Sequence, residues 1–270
     1  MLPRIESRSC IFILEPYNNP TLKLERDFFS TFSLMKNLFI VLVFLFSIQS
    51  FSQQITGKQL LEKAIKYHDP DGKWSAFKGT LFVTMKSPNA SNRESKIEVD
   101  IANQFFSVTS KTGKNTSQYI IQKDSVQIIF NGNDNPSEEV LKKNKLSTSR
   151  AKMFQNYYTY LYGLPMKLTD PGTIIHEQVN LDKFMGDEML VLKVTYSKEV
   201  GKDTWYFYFN KDTYAMEAYQ FHHDESKNDG EYILLSELEV INGIKMPKER
   251  AWYMNKDGKY LGTDILKVAN

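Results

Sequence analysis

From Phe77 onward the chain alternates apolar and polar residues with a period of two, and short turn sequences separate the runs. That pattern commits most of the chain to antiparallel strands, because successive strand side chains face opposite sides of a sheet. Leu81, Val83 and Met85 alternate with smaller or polar neighbours, as do Ile97, Val99 and Ile101 with Lys96, Glu98 and Asp100. Further runs cover 104–111, 117–122, 125–131, 173–180 and 188–196, followed by DTWYFYFN, TYAMEAYQFHH, EYILLSELEVI, IKMPKERAWY and KYLGTDILKV. Between them lie SPNASN, KTGKN, KDS, KEVGK, NKD, DESKNDG, NG and NKDG, all turn material, with Asn242-Gly243 the strongest hairpin signal. The pattern predicts about eleven strands.

Helical spacing interrupts this twice. Thr56 is placed to cap a helix whose Leu60, Leu61, Ala64, Ile65 and His68 share a face, and Asp69-Pro70-Asp71-Gly72 stops it. In mid-chain, NGNDNPSEEVLKKNKL and STSRAKMFQNYYTYLYGLP read as a short and a longer helix, the latter capped by Ser147 or Ser149. The predicted fold is mainly β (α+β): a single curved antiparallel sheet or half-open barrel, with the N-terminal and mid-chain helices covering its concave face. Several strands, such as Trp205-Tyr206-Phe207-Tyr208-Phe209, carry apolar residues on both parities. They need cover on two sides or an apolar ligand to line. The expected lining is Leu81, Val83, Phe154, Tyr158, Tyr206, Tyr208, Tyr219, Phe221 and Leu234.

The formal charge of +2 supplies no basic face, so nucleic acid is not an expected partner. Residues 35–52 carry a basic start, an apolar run from Leu38 to Phe46 and small residues at Ser50 and Ser52, the order of a cleaved signal peptide. The apolar run is too short to span a membrane. Residues 1–34 precede this signal and read as a mis-assigned upstream extension, leaving 53–270 as one mature domain. The lone Cys10 lies in that leader, so the mature chain is expected to be disulfide-free, not lipidated and soluble, in the periplasm or outside the cell. A monomer is expected.

The stretch FHHDESKNDGEY is the most chemical-looking part of the chain. Adjacent His222 and His223 point to opposite faces of a regular strand and make a poor metal pair. As a calcium loop, the segment from Asp224 has glycine one place late and Leu235 where a glutamate belongs. A turn closed by Gly230 is the simpler reading. There is no serine nucleophile elbow, phosphate loop or dinucleotide fingerprint, so neither catalytic residues nor metal or cofactor sites are assigned.

The stretches WYFYFNKDTYAMEAYQFHHDESKNDGEYI, NGIKMPKERAWY, KYLGTDIL and YGLPMKLTDPGT resemble an uncharacterised family of exported bacterial proteins across the mature chain. More distantly, the order of elements is similar to the LolA/LolB-like periplasmic lipoprotein-carrier superfamily. This resemblance implies a half-closed barrel lidded by helices, and a hydrophobic small molecule or acyl chain as ligand. It also implies an outer-membrane or lipoprotein partner. The basic residue those carriers use in lipoprotein release matches no position here. The leading expectation is a non-enzymatic carrier. The alternatives are an envelope enzyme or metal-binding protein using His222–Glu231, and a structural, partner-binding envelope protein with a filled core.

Overall fold

The computed structural model describes residues 54–267, and the leader and signal readings lie outside them. The helical stretch after Thr56 forms α1 (Gly57–His68), closed at its start by a capping box between Thr56 and Gln59. Leu60, Leu61, Ala64 and His68 form its buried stripe. Asp69 then accepts the backbone N–H groups of Lys73 and Trp74, each at 2.8 Å, which sets a short 3-10 turn at Trp74–Ala76.

The alternating region forms twelve strands, one more than the predicted total of about eleven. They are β1 (Lys78–Ser87), β2 (Ala90–Asp100), β3 (Phe105–Thr112), β4 (Asn115–Gln122) and β5 (Ser125–Phe130). After the mid-chain helices follow β6 (Thr173–Phe184), β7 (Asp187–Tyr196), β8 (Thr204–Asn210), β9 (Met216–His222), β10 (Glu231–Ile241), β11 (Ile244–Met254) and β12 (Tyr260–Lys267). All belong to one antiparallel sheet in the order β5-β4-β3-β2-β1-β12-β11-β10-β9-β8-β7-β6. The sheet is curved and unclosed, as the alternation implied. Ile101, assigned to β2 by its parity, falls in the turn beyond it.

Two meanders are therefore joined side by side where β1 pairs with β12, with Val83 opposite Leu266. Asn242 and Gly243 take positive φ values of 54° and 86°, the geometry of a tight hairpin between β10 and β11. Since β5 and β6 are the two edges, the segment between them must cross from one side of the sheet to the other. That segment contains α2 (Glu138–Lys143) and α3 (Thr148–Gly163), capped by Ser137 and Ser147. Ala151, Phe154, Tyr158, Leu161 and Tyr162 form the buried face of α3.

Side chains of α1, α3 and one face of the sheet make a continuous core that includes Leu60, Ile97, Val108, Tyr158, Phe207 and Leu266. A smaller cluster of Met189, Val191, Tyr208 and Ala218 occupies the other face. The end of α3 seats closely against the 3-10 turn. A Cβ on Gly163 would lie 2.2 Å from the Trp74 ring, which is itself stacked on Phe77 at 5.3 Å. Gly163→Ala is expected to lower stability by about 1–3 kcal/mol through overpacking, read as a lower urea midpoint. An unchanged midpoint would mean that this helix end is not held against Trp74.

Candidate functional site

Inward positions on β2, β9, β11 and β12 interrupt the apolar core with polar groups that meet the tyrosines of α3. Arg250 on β11 sits opposite Leu235 of β10 and Asp264 of β12, and both Arg250 and Asp264 are essentially solvent-free. The Arg250 guanidinium donates to the carbonyls of Pro247 (2.9 Å) and Leu161 (3.0 Å). Leu161 lies in the last turn of α3, where carbonyls lack helical partners and the helix dipole favours a cation. The same guanidinium stacks 4.0 Å above the Tyr162 ring. A residue on the sheet thus holds the C-terminal end of the crossing helix.

Asp264 accepts from Tyr157 Oη at 3.0 Å through Oδ2, whereas its Oδ1 is buried without a partner. Burial raises its carboxyl pKa, against the pull of the Tyr157 hydrogen bond and of the Arg93 and Arg250 charges. Beside it, Tyr158 donates to Ser95 Oγ (3.1 Å), which is bonded to Ser110 Oγ (3.2 Å). Burial also raises the pKa of Tyr157, Tyr158, Tyr162 and Tyr219, so all four phenols remain neutral donors at physiological pH.

Five donors in this neighbourhood are buried and unpaired: Arg250 Nε, Arg93 Nε, Trp252 Nε1, Tyr162 Oη and Tyr219 Oη. They form a connected group. Trp252 packs against Tyr157 and Tyr219 at ring separations of 6.2 and 6.4 Å, and Tyr158 lies 6.3 Å from Tyr162. Each such group costs about 1–3 kcal/mol when left without a partner.

Open space adjoins α3 on its other flank. A cleft of about 650 Å³ runs between the end of α1, the β2–β3 turn and α3, with Ile65, Trp74, Ile101, Phe105, Thr159 and Met166 among its lining residues. It shares Val99, Asp100, Gln104, Phe105 and Lys123 with a more polar concavity of about 940 Å³ at the end of β1 and β2. Beneath the helices, Leu60, Phe154, Tyr158, Phe207 and Leu266 belong to one packed cluster.

The nine residues expected to line one interior do not share a face. Leu81, Val83, Phe154, Tyr158, Tyr219 and Phe221 join the core beneath the helices. Tyr206, Tyr208 and Leu234 pack in the opposite cluster with Phe184, because strand alternation turns them away from Phe207 and Phe209. Arg250, Asp264, Trp252 and Arg93 escaped the sequence reading. Parity was the available signal: Arg250 is in phase with Ile244 and Met246, and Asp264 with Leu266, all buried.

FHHDESKNDGEY is a turn. Asp229 Oδ1 accepts from the backbone N–H groups of His223 and Asp224 at 2.9 Å each, and Asp224 accepts from Ser226. The hydrogen bond from the Lys227 ammonium, together with the Ser226 bonds, holds the Asp224 carboxyl down at about 2. Gly230 has φ +81°, and a Cβ there would lie 2.1 Å from Phe221 O, so only glycine fits. His223 pairs with Asp203 at 2.8 Å, while His222 lies on the other face near Tyr206. Among the described residues no group of three or more His, Cys, Asp or Glu side chains is arranged to hold a metal ion.

Fold and site together define an open antiparallel sheet with a helix-covered concave face and a buried, donor-rich island beneath the cover. The chain belongs to the DUF6503 family of unknown function, whose model matches residues 36–268. A search of curated proteins gave no match. Among solved structures, the chain is similar to a LolA superfamily protein from Nitrosomonas europaea at 11% identity, covering 79% of this chain and 92% of that one, with a TM-score of 0.44. A putative outer membrane lipoprotein-sorting protein domain from Vibrio parahaemolyticus aligns over the same shares at 12% identity and a TM-score of 0.41. A DUF1329 family protein from Desulfovibrio piger, with the same coverage and 12% identity, gives 0.47.

Proposed function

We propose that this protein is a non-enzymatic binding or carrier protein for an amphiphilic ligand with an acyl-like chain, acting in the periplasm or outside the cell. The supporting observation is the unpaired polar island, held against the concave face by a helix that belongs to a connection rather than to the sheet. A crossing segment can shift without breaking a strand ladder, and burying each methylene of a guest contributes about 0.8 kcal/mol. Because the α3 residues Phe154, Tyr158, Leu161 and Tyr162 pack into the core, uptake in this reading has α3 move outward and enlarge the flanking cleft. The location rests on the signal-like residues 35–52.

Native mass spectrometry of gently purified protein is expected to reveal a co-purified lipid, and a fluorescent fatty acid should bind saturably. Absence of both would refute the reading. It would favour instead a structural envelope protein, a role that the packed side chains under the helices also suit.

A further inference from the structure

We propose that the segment crossing from β5 to β6 is a docking surface for an anionic phospholipid bilayer. Residues 140–169 carry six basic side chains and no acidic one, so a total charge of +2 hides a basic face. Lys142, Lys143 and Lys145 at the end of α2, with Arg150 and Lys152 at the start of α3, are all exposed. None of the five belongs to an ion pair among the described residues. The surroundings do not cancel this charge. α3 packs against β3, β4 and β5, and residues 105–130 add Lys111, Lys114 and Lys123 against one acid, Asp124. Asp134, Glu138 and Glu139 precede the lysines of α2, Lys167 is paired with Asp170, and Arg93 and Glu94 of β2 offset each other. Across residues 101–170 nine basic side chains still face five acidic ones.

Helix energetics account for only part of the pattern. Lys142 and Lys143 suit the C-terminal end of α2, but Arg150 stands in the first turn of α3, where the dipole disfavours a cation and no acid is present. The kind of residue separates the candidate partners. Protein interfaces are depleted in lysine and centred on aromatic and arginine anchors. Lysines on flexible stems suit instead a diffuse layer of lipid phosphates. Met153, exposed beside Lys152, adds an apolar side chain at the depth of the head groups. Nucleic acid needs rings on the same face for bases to stack on, whereas Phe154, Tyr158 and Tyr162 of α3 are buried. Docking in this way goes beyond the carrier reading. It sets the helix that covers the concave face against the layer from which an acyl ligand comes.

The test is co-sedimentation of the chain from residue 53, which contains every strand and helix described, with phosphatidylcholine vesicles. One set of vesicles also holds about 30 mol% phosphatidylglycerol. Binding is expected to the anionic vesicles alone, and about 0.5 M salt should abolish it. A lysine near such a surface strengthens binding roughly fivefold. Lys142→Gln, Lys143→Gln, Lys145→Gln and Lys152→Gln together should therefore weaken binding by more than about tenfold, with an unchanged urea midpoint. Lys198→Gln, Lys202→Gln, Lys256→Gln and Lys259→Gln remove the same charge from exposed positions elsewhere and should change it by less than about threefold. No preference for anionic vesicles, or an equal loss in the two variants, would overturn the docking surface. Displacement from the vesicles by polyuridylate at equal phosphate concentration would overturn it in favour of nucleic acid. Fatty-acid binding without vesicle binding would remove this surface and keep the carrier reading, and vesicle binding without fatty-acid binding would do the reverse.

Discussion

Replacing His68 by alanine is expected to destabilise the protein by about 3–5 kcal/mol, a large share of a typical domain's stability. His68 ends α1, is fully buried, and bridges two strands. Its Nδ1 lies 2.7 Å from the carbonyl of Lys245 on β11, and its Nε2 accepts from the N–H of Met216 on β9 at 3.0 Å. One neutral tautomer, with the proton on Nδ1, satisfies both contacts. Alanine leaves a buried carbonyl and a buried N–H without partners and opens a cavity beneath α1.

The same residue sets an acid limit. Burial lowers the His68 pKa from 6.5 to about 4, overcoming the opposing effect of the bond to Lys245, and nearby Lys245 and Arg250 lower it further. The unfolded chain takes up this proton near pH 6.5, whereas the folded chain resists until about 4. Its contribution is therefore complete above about 6.5 and is lost as pH falls to about 4, up to about 3 kcal/mol in all. Urea unfolding at a series of pH values should show this loss in the wild type and its absence in His68→Ala. His223, raised by its exposed pair with Asp203, acts with the opposite sign and is screened by solvent. Parallel pH profiles for the two proteins would disprove the assignment.

The second large effect is expected at Arg250. Arg250→Met removes the donor to the last turn of α3 and one of two cations opposing the buried Asp264. Removing one side of a buried charge arrangement costs about 3–5 kcal/mol, because the other charge is left uncompensated. Much of that cost should disappear when Asp264→Asn is introduced in the same chain. A double-mutant cycle in urea measures the coupling. If Arg250→Met costs the same with Asp264 or with asparagine, the guanidinium acts through its carbonyl contacts alone.

The two residues illustrate different degrees of legibility. His68 was visible on the apolar face of a predicted helix, yet its strand partners lie 148 and 177 residues away. Arg250 and Asp264 look, in KERAWY and GTDIL, like ordinary polar positions on exposed strand faces. Their inward direction follows from phase with Met246 and Leu266. Their proximity follows from the β11–β12 register, which no local pattern encodes. The same limit explains Tyr206 and Tyr208. In a strand apolar on both faces, composition cannot tell which face the helices cover.

Local chemistry in the sequence determined the elements. Alternation made the strands, Asn242-Gly243 made a hairpin by accepting positive φ, and Thr56 and Ser147 capped helices. Tertiary structure alone decided which of the two faces became interior and which distant polar groups were shut inside it together. Dihedral preferences and side-chain periodicity act over a few residues, whereas burial and charge pairing depend on contacts between strands far apart in the chain.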